Sequence, residues 1–165
     1  MKELLTDILN RIKTEIPQIK YVDEDWGQLN NYSLNPPVQF PAAIVDCINA
    51  NYTNEGKLVQ MGDVQVRIRI ADLKLTNTSG KAPQTQKDQA FAIYDLLATI
   101  HSKLHGWPAN KPYSRLIRQS MKKVVSNDGV RIHELIYTTR IVDDGAMPVY
   151  GTTPKPPLVV NVKLF

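Results

Sequence analysis

Three histidines and one cysteine are the side chains here best suited to metal binding or nucleophilic chemistry. His101 and His105 lie four residues apart on a predicted helix, a spacing that brings two ligands to one metal ion. The next residue is Ser102, not the glutamate of a metalloprotease helix, and no third ligand is indicated, so we predict solvent-facing histidines. His133 is predicted on the polar face of a strand, at the surface. Cys47 lies in a short apolar run, which predicts a buried, unreactive thiol.

Other signatures of catalysis are missing from the sequence. All eight glycines are isolated, and none opens a helix with the spacing of a phosphate-binding loop. No serine lies in the small-residue elbow that exposes an activated hydroxyl. The acidic turns at residues 23–25 and 143–144 lack further oxygen ligands at the spacing of a hard-cation site. The sequence therefore predicts no cofactor and no resident metal, and it favours a non-catalytic protein.

One group of residues leaves an enzymatic alternative open. Asp46 lies in a predicted strand, and Asp72-Leu73-Lys74 ends the next one, with a predicted helix before and after. This order resembles the Asp, then Asp/Glu-x-Lys pattern of restriction-type nucleases. The resemblance implies that Asp46 and Asp72 hold Mg²⁺ and that Lys74 stabilises the developing charge. Asp-x-Lys is a common tripeptide, so the pattern has low specificity. A Mg²⁺-dependent nuclease is therefore the alternative and not the leading hypothesis.

Composition predicts one ordered domain around these residues. The chain has 165 residues, 42% apolar and 22% charged, which excludes a disordered or fibrous protein. A single cysteine excludes an internal disulfide and fits a reducing compartment. No apolar stretch approaches the roughly 20 residues that span a bilayer, and the charged amphipathic N-terminus does not resemble a signal peptide. We therefore predict a soluble, cytoplasmic protein without membrane partners.

Hydrophobic spacing predicts two helices and several clustered strands. Helical spacing runs over residues 2–16 and again over about 84–104. The clearest strand covers about 58–73, where Val64, Val66, Ile68 and Ile70 alternate with polar residues. Shorter strands are predicted at 42–48, 115–125 and 130–142, with a turn-rich segment at 49–57 and a polar loop at 74–84.

This element order predicts an α+β fold, a mainly antiparallel sheet of four to six strands packed by the N-terminal and central helices. The domain is expected to cover residues 1–142, followed by an extended Pro/Gly-rich tail at 143–165. The tail ends in a β-prone segment whose alternate residues are Leu158, Val160, Val162 and Leu164. Such a strand either pairs within its own sheet or adds to a neighbour's edge, and both remain open.

Positive charge is concentrated in one part of the chain. The formal net charge is +4, but residues 111–142 carry seven basic side chains against Asp128 and Glu134, a local balance of +5. Such a field attracts phosphates or an acidic protein, although a solvated face has the same pattern. A small basic nucleic-acid-binding domain is therefore a further alternative, weakened by an aromatic content of 7%.

Several motifs occur together in a recognisable order. A helix over 2–16 is followed by the exit Ile16-Pro17-Gln18-Ile19, by Val22, and by the proline-led strand Phe40-Pro41-Ala42-Ala43-Ile44-Val45. Next come the alternating strand at 64–70, a helix end at His105-Gly106, and a hairpin whose second strand contains Tyr137-Thr138-Thr139-Arg140. This layout, over about residues 1–142, is similar to the tail-terminator and tail-completion proteins of long-tailed bacteriophages and prophages.

The resemblance implies a non-catalytic virion structural protein that caps the tail tube as a ring, commonly of six subunits, and takes part in head–tail joining. The implied partners are further copies of the chain and the tail-tube and neck proteins, with DNA nearby. The implied location is the host cytoplasm during assembly and then the virion. Charged contact residues would be Arg67, Arg69, Arg115, Arg118, Lys122, Lys123 and Arg131. The terminal segment 158–165 is the candidate for strand addition between subunits.

Overall fold

The computed structural model describes residues 1–30, 37–73, 77–108, 111–124 and 129–148. In chain order the elements are α1 (Lys2–Glu15), β1 (Tyr21–Glu24), a 3-10 turn (Gln28–Asn30), β2 (Ala42–Gly56), β3 (Val59–Leu73), α2 (Gln84–Leu104), β4 (Ile117–Val124) and β5 (Val130–Asp143). Neither described helix is long and apolar enough to cross a membrane.

The five strands form one sheet in the order β1-β2-β3-β5-β4. β1 pairs with β2 in parallel, and the other three pairings are antiparallel. The connection from β3 to β5 passes through α2 and β4, so the hairpin β4–β5 is placed beside β3 with its second strand inward. This is the predicted α+β fold with a mainly antiparallel sheet, and the prediction of fold class is confirmed.

Both helices pack on the same face of the sheet. α1 buries Leu4, Ile8 and Ile12, and it stops before Pro17 because a proline pushes the preceding residue out of the helical region. α2 buries Ala90, Ile93, Leu97, Ile100 and Leu104. These side chains meet the inward-facing residues of the sheet, which are Ala43, Val45, Val64, Val66, Ile68, Ile70, Leu135 and Tyr137. Burying each large aliphatic side chain contributes about 1.5–3 kcal/mol, so this layer is the main source of stability.

Among the described residues, only one end of the second face of the sheet is covered. There Leu29 and Val38, from the segment between β1 and β2, cover Ala42, Ile44, Ala71, Val130 and Ile132. Further along, the same face carries polar side chains, among them Gln65, Arg67 and Arg69, because they alternate with the buried residues of β3. The sheet therefore has one face packed by both helices and a second face that is apolar at one end and polar beyond it.

Strand β2 is longer than the sequence predicts. The prediction ends it at Ile48 and places a turn over 49–57, whereas the strand continues to Gly56 and the turn is only Lys57–Leu58. All residues from Asn51 to Leu58 are exposed, whichever face they point to. A strand exposed on both faces needs no apolar alternation, which is why its Asn, Thr and Gly content was mistaken for a turn.

Other predicted elements agree closely with the structure. α2 has the predicted bounds, and the strands at 58–73, 115–125 and 130–142 are displaced by at most two residues at either end. Two predicted groups lie outside the described residues: Lys74, and the tail segment with Leu158, Val160, Val162 and Leu164. The division into a domain at 1–142 and a tail at 143–165 remains a prediction.

Candidate interaction surfaces

The end of the β2–β3 hairpin is an exposed structure that carries apolar side chains. We call residues 51–62 the hairpin tip. Leu58 is 58% exposed there, and it has a φ of 65°, a left-handed conformation that Gly and Asn adopt far more readily. Its neighbour Lys57 also has a positive φ, of 52°. An unfavourable backbone and an unburied leucine at the same position are not explained by the stability of the isolated chain.

A tyrosine and a valine extend the apolar surface along the hairpin tip. The ring of Tyr52 lies across Gly62, where a Cβ atom would come within 2.7 Å of the tyrosine Cε1. Gly62 is therefore required for this packing, because any side chain would displace the ring. On the other face, Val142 of β5 is about half exposed opposite Met61. Exposed apolar side chains thus lie on both faces of this end of the sheet.

A cluster of four charged residues lies on the open face of the sheet. Nη2 of Arg67 is 3.0 Å from Oδ2 of Asp46 and 3.2 Å from Oδ2 of Asp25. Arg69 pairs with the same oxygen of Asp25. The carboxylate of Asp25 is only 6% exposed, and its other oxygen accepts a hydrogen bond from the amide of Gly27 at 3.1 Å. Asp25 therefore holds two guanidinium groups and fixes the segment after β1 to the sheet.

This cluster bears on the prediction that Arg67 and Arg69 contact another subunit. Each guanidinium already has a carboxylate partner within the chain, and their side chains are 29% and 17% exposed. The Nε atoms of both are buried without a hydrogen-bond partner. A fold-stabilising role follows from the observed geometry, and an intersubunit role for the two arginines remains a prediction.

Acidic residues from other elements neutralise much of the basic run at 111–142. The pairs are Lys111 with Asp7 and Glu3, Lys122 with Glu134, Arg131 with Asp72, and Arg140 with Asp63. Only the Lys122–Glu134 pair lies wholly within the run. The local surplus of charge read from the sequence is therefore largely cancelled in the folded protein.

Three residues of the basic run lie outside these ion pairs. Arg115 and Lys123 are exposed, Arg118 is half buried, and none of the three makes a salt bridge within the described part of the chain. Arg115 borders a shallow groove with Arg140, whereas Lys123 lines a cavity beneath α2. Of the predicted charged contact residues, these are the ones whose charge is available to a partner.

The two carboxylates of the nuclease alternative are not brought together. Asp46 points to the open face of the sheet, where it pairs with Arg67. Asp72 points to the helix face, where Nη2 of Arg131 lies 2.6 Å from its Oδ2 and Nη1 donates to the carbonyl of Ala90. The two carboxylates are thus on opposite sides of the sheet. No group of three potential metal ligands occurs among the described residues.

The prediction of solvent-facing histidines is correct for His105, which is exposed, and wrong for His101, which is half buried. The rings of His101 and His105 have centroids 4.8 Å apart. Nδ1 of His105 accepts a hydrogen bond from the backbone amide of Arg118 at 3.2 Å. His101 is half buried, and burial, followed by the charge of Arg118, lowers its pKa. The pair thus joins the end of α2 to β4.

The predicted surface position of His133 is wrong. It was expected at the surface, but it is 2% exposed and faces the helices, with its ring 5.5 Å from that of Tyr94 in an edge-on contact. The reason is register: His133 is opposite Ile70, an inward-facing residue of β3. Its burial was not evident because its neighbours Ile132 and Glu134 are also buried, so β5 shows no simple alternation.

Cys47 is half buried beside the apolar core, whereas the sequence predicted a buried thiol. Burial, together with the charge of Asp46, raises the pKa of the thiol to about 11. The group is therefore protonated at neutral pH and is a poor nucleophile.

No family model matches the chain, and no curated protein matches it. Among solved structures, it is similar to a chain from the virion of a native gene transfer agent (GTA) particle, with 12% identity and a TM-score of 0.42. The match covers 82% of this chain and 84% of that chain.

Proposed function

We propose that this protein is a structural component of a phage or prophage virion that caps the tail tube as a ring and takes part in head–tail joining, without catalysis. Its partners are other copies of itself, in a ring of six, and the tail-tube and neck proteins, with DNA close by. It is made in the host cytoplasm and then becomes part of the virion. The sequence resemblance over residues 1–142 supports this role.

The observation that carries the proposal is Leu58 at the hairpin tip. Its side chain is exposed and its backbone is in a conformation that disfavours leucine, so the residue costs stability in the single chain. A backbone outlier with an exposed apolar side chain indicates selection for something outside the monomer. Tyr52 and Val142 nearby enlarge the apolar surface that a neighbouring subunit would cover.

The charges available on the surface support a protein contact next to this tip. Arg115 lines a groove of about 490 Å³ that also includes Asn51, Asp63 and Arg140. The groove therefore adjoins the base of the hairpin tip. In a head-to-tail ring, two different surfaces of each subunit meet. We assign the hairpin tip to one of them, with Arg115 as the charged residue at its margin.

The experiment is a measurement of solution mass by light scattering over a concentration series, for the wild type and two variants of one turn. Leu58→Asn removes the apolar side chain and suits a left-handed backbone, whereas Lys57→Asn makes the same backbone change and leaves the leucine in place. We expect the wild type and Lys57→Asn to approach six times the monomer mass of 18.6 kDa, and Leu58→Asn to remain smaller.

A monomer at every concentration for the wild type would contradict the ring. Equal masses for the two variants would remove Leu58 from the contact. Mg²⁺-dependent cleavage of DNA that is lost in Asp46→Ala would overturn the proposal in favour of the nuclease.

A further inference from the structure

A cavity of about 300 Å³ lies between α2 and the strands β4 and β5. Phe91 and Tyr94 of α2 form its aromatic side, and both are about half exposed at its opening. Lys123, Arg131 and His133 line it from the strands, with Thr78 and Ile93 completing the lining. It is separate from the hairpin tip and from the charged cluster on the open face.

Polar atoms of this lining are left without partners. Both ring nitrogens of His133 are buried and make no hydrogen bond, and the same is true of Nε of Arg131. Buried polar groups are nearly always hydrogen-bonded to protein, water or an ion, so polar atoms without a protein partner indicate a position where a further group can bind. Here the unpartnered atoms are on residues two apart on one face of β5, and both residues line the same cavity.

The charge of the lining is positive. Asp72 is paired with Arg131 and balances it, whereas Lys123 has no ion-pair partner among the described residues. None of the described residues that line the cavity is acidic. Burial, and then the charges of Lys123 and Arg131, lower the pKa of His133, which favours the neutral ring. A neutral imidazole offers one N–H donor and one acceptor.

From this geometry we propose that the cavity binds a small organic carboxylate with a flat apolar body. The carboxylate accepts hydrogen bonds from the N–H groups of His133 and Arg131 and is neutralised by Lys123. The apolar body lies against Phe91 and Tyr94, whose rings have centroids 6.2 Å apart at the opening. A hydrated phosphate would leave these aromatic faces uncovered, so the carboxylate is favoured.

The experiment follows the ring signals of the three histidines by NMR during titration with benzoate, with His133 assigned from a His133→Gln variant. Inorganic phosphate and benzamide are titrated in parallel, because one lacks the apolar body and the other lacks the charge. We expect saturable shifts of the His133 signals with benzoate and a higher pKa of His133 in the complex. Phosphate and benzamide should each bind at least about tenfold more weakly.

Adjacent lysines provide a matched pair of variants. Lys123→Gln should weaken benzoate binding about tenfold because it removes the uncompensated charge. Lys122→Gln should leave binding unchanged, since Lys122 faces the other side of the sheet and pairs with Glu134 at 2.9 Å. Tighter binding of phosphate, equal effects of the two variants, or shifts confined to His101 and His105 would each overturn the proposal.

Discussion

Asp25 holds the segment after β1 to the open face of the sheet through two arginines. It follows β1 directly, and it connects that edge strand to Arg67 and Arg69 in the centre of the sheet. The sequence indicated only an acidic turn, because nothing local to residues 23–25 shows that two arginines 42 and 44 positions later are its partners. The alternation of Arg67 and Arg69 did predict that both lie on the same face. Long-range ion pairs of this kind depend on strand register.

Asp25→Asn should lower the free energy of unfolding by about 3 kcal/mol, because it leaves two partly buried guanidinium groups without their shared charge. Urea denaturation followed by circular dichroism would measure the loss. Asp63→Asn is the matched control, since its pair with Arg140 is exposed and should contribute little. Equal effects of the two substitutions would contradict the assigned importance of Asp25.

The carboxylate of Asp7 makes the stability of the fold depend on pH. The hydrogen bond from Lys111 keeps the pKa of Asp7 below its usual value against the opposing effect of burial, and Tyr113 also donates to it. A lowered folded-state pKa stabilises the fold above the unfolded pKa of about 3.9 and ceases to do so as the pH falls through the folded value. Asp7→Asn should therefore reduce stability at pH 7, and its difference from the wild type should vanish near pH 2. A difference that persists at pH 2 would show that the lost charge is not the cause.

At the scale of elements, buried structure was easier to predict than exposed structure. α2 was predicted at its observed bounds because apolar residues recur at helical spacing between Gln84 and Leu104, although two of them, Phe91 and Tyr94, are about half exposed. The second half of β2 was missed because its residues are exposed on both faces and the strand is held by backbone pairing with β3. Hydrophobic periodicity reports burial, so it cannot identify a strand that buries nothing.

The turn of the β2–β3 hairpin can be tested for its effect on the stability of the monomer. Leu58→Asn and Lys57→Asn each place a tolerant residue at a positive φ, so each should keep the free energy of unfolding or raise it by about 0.5–1 kcal/mol. Thermal unfolding of dilute monomer would measure this change. A stable fold in both variants ensures that a lower mass of Leu58→Asn reflects a lost contact; a destabilised Leu58→Asn would instead assign the leucine to folding.

At the scale of the whole molecule, the sequence predicted the two-layer arrangement but not the distribution of charge. The surplus of basic residues at 111–142 suggested a positive field, yet Glu3, Asp7, Asp63 and Asp72 from earlier in the chain pair with it. The candidate carboxylate cavity was also missed, because His133 was placed on the wrong side of its strand. Tertiary contacts determine both features, and neither has a local signal.

The tail belongs to this scale because one of its two predicted roles, strand addition to a neighbour's sheet edge, involves more than one subunit. The predicted strand of the tail can pair with either edge of a sheet, since both β1 and β4 are outermost strands. Its alternate apolar residues are Leu158, Val160, Val162 and Leu164. A chain ending at Asp144 should lose the ring-sized mass while its circular dichroism and stability stay close to those of the full chain. An unchanged mass would exclude the tail from the contact, and a large loss of stability would place its strand within its own sheet.

The positions of the two tryptophans have a practical consequence for following these changes. Trp26 is exposed beside Asp23, on the segment held by Asp25. Trp107 lies at the end of α2 and stacks under the guanidinium of Arg11, whose Cζ is 5.4 Å from the centroid of the indole ring. The molecule therefore contains two intrinsic fluorophores in different surroundings. With Trp26→Phe or Trp107→Phe, emission from the remaining indole would report separately on the release of the segment after β1 and on the separation of the helices.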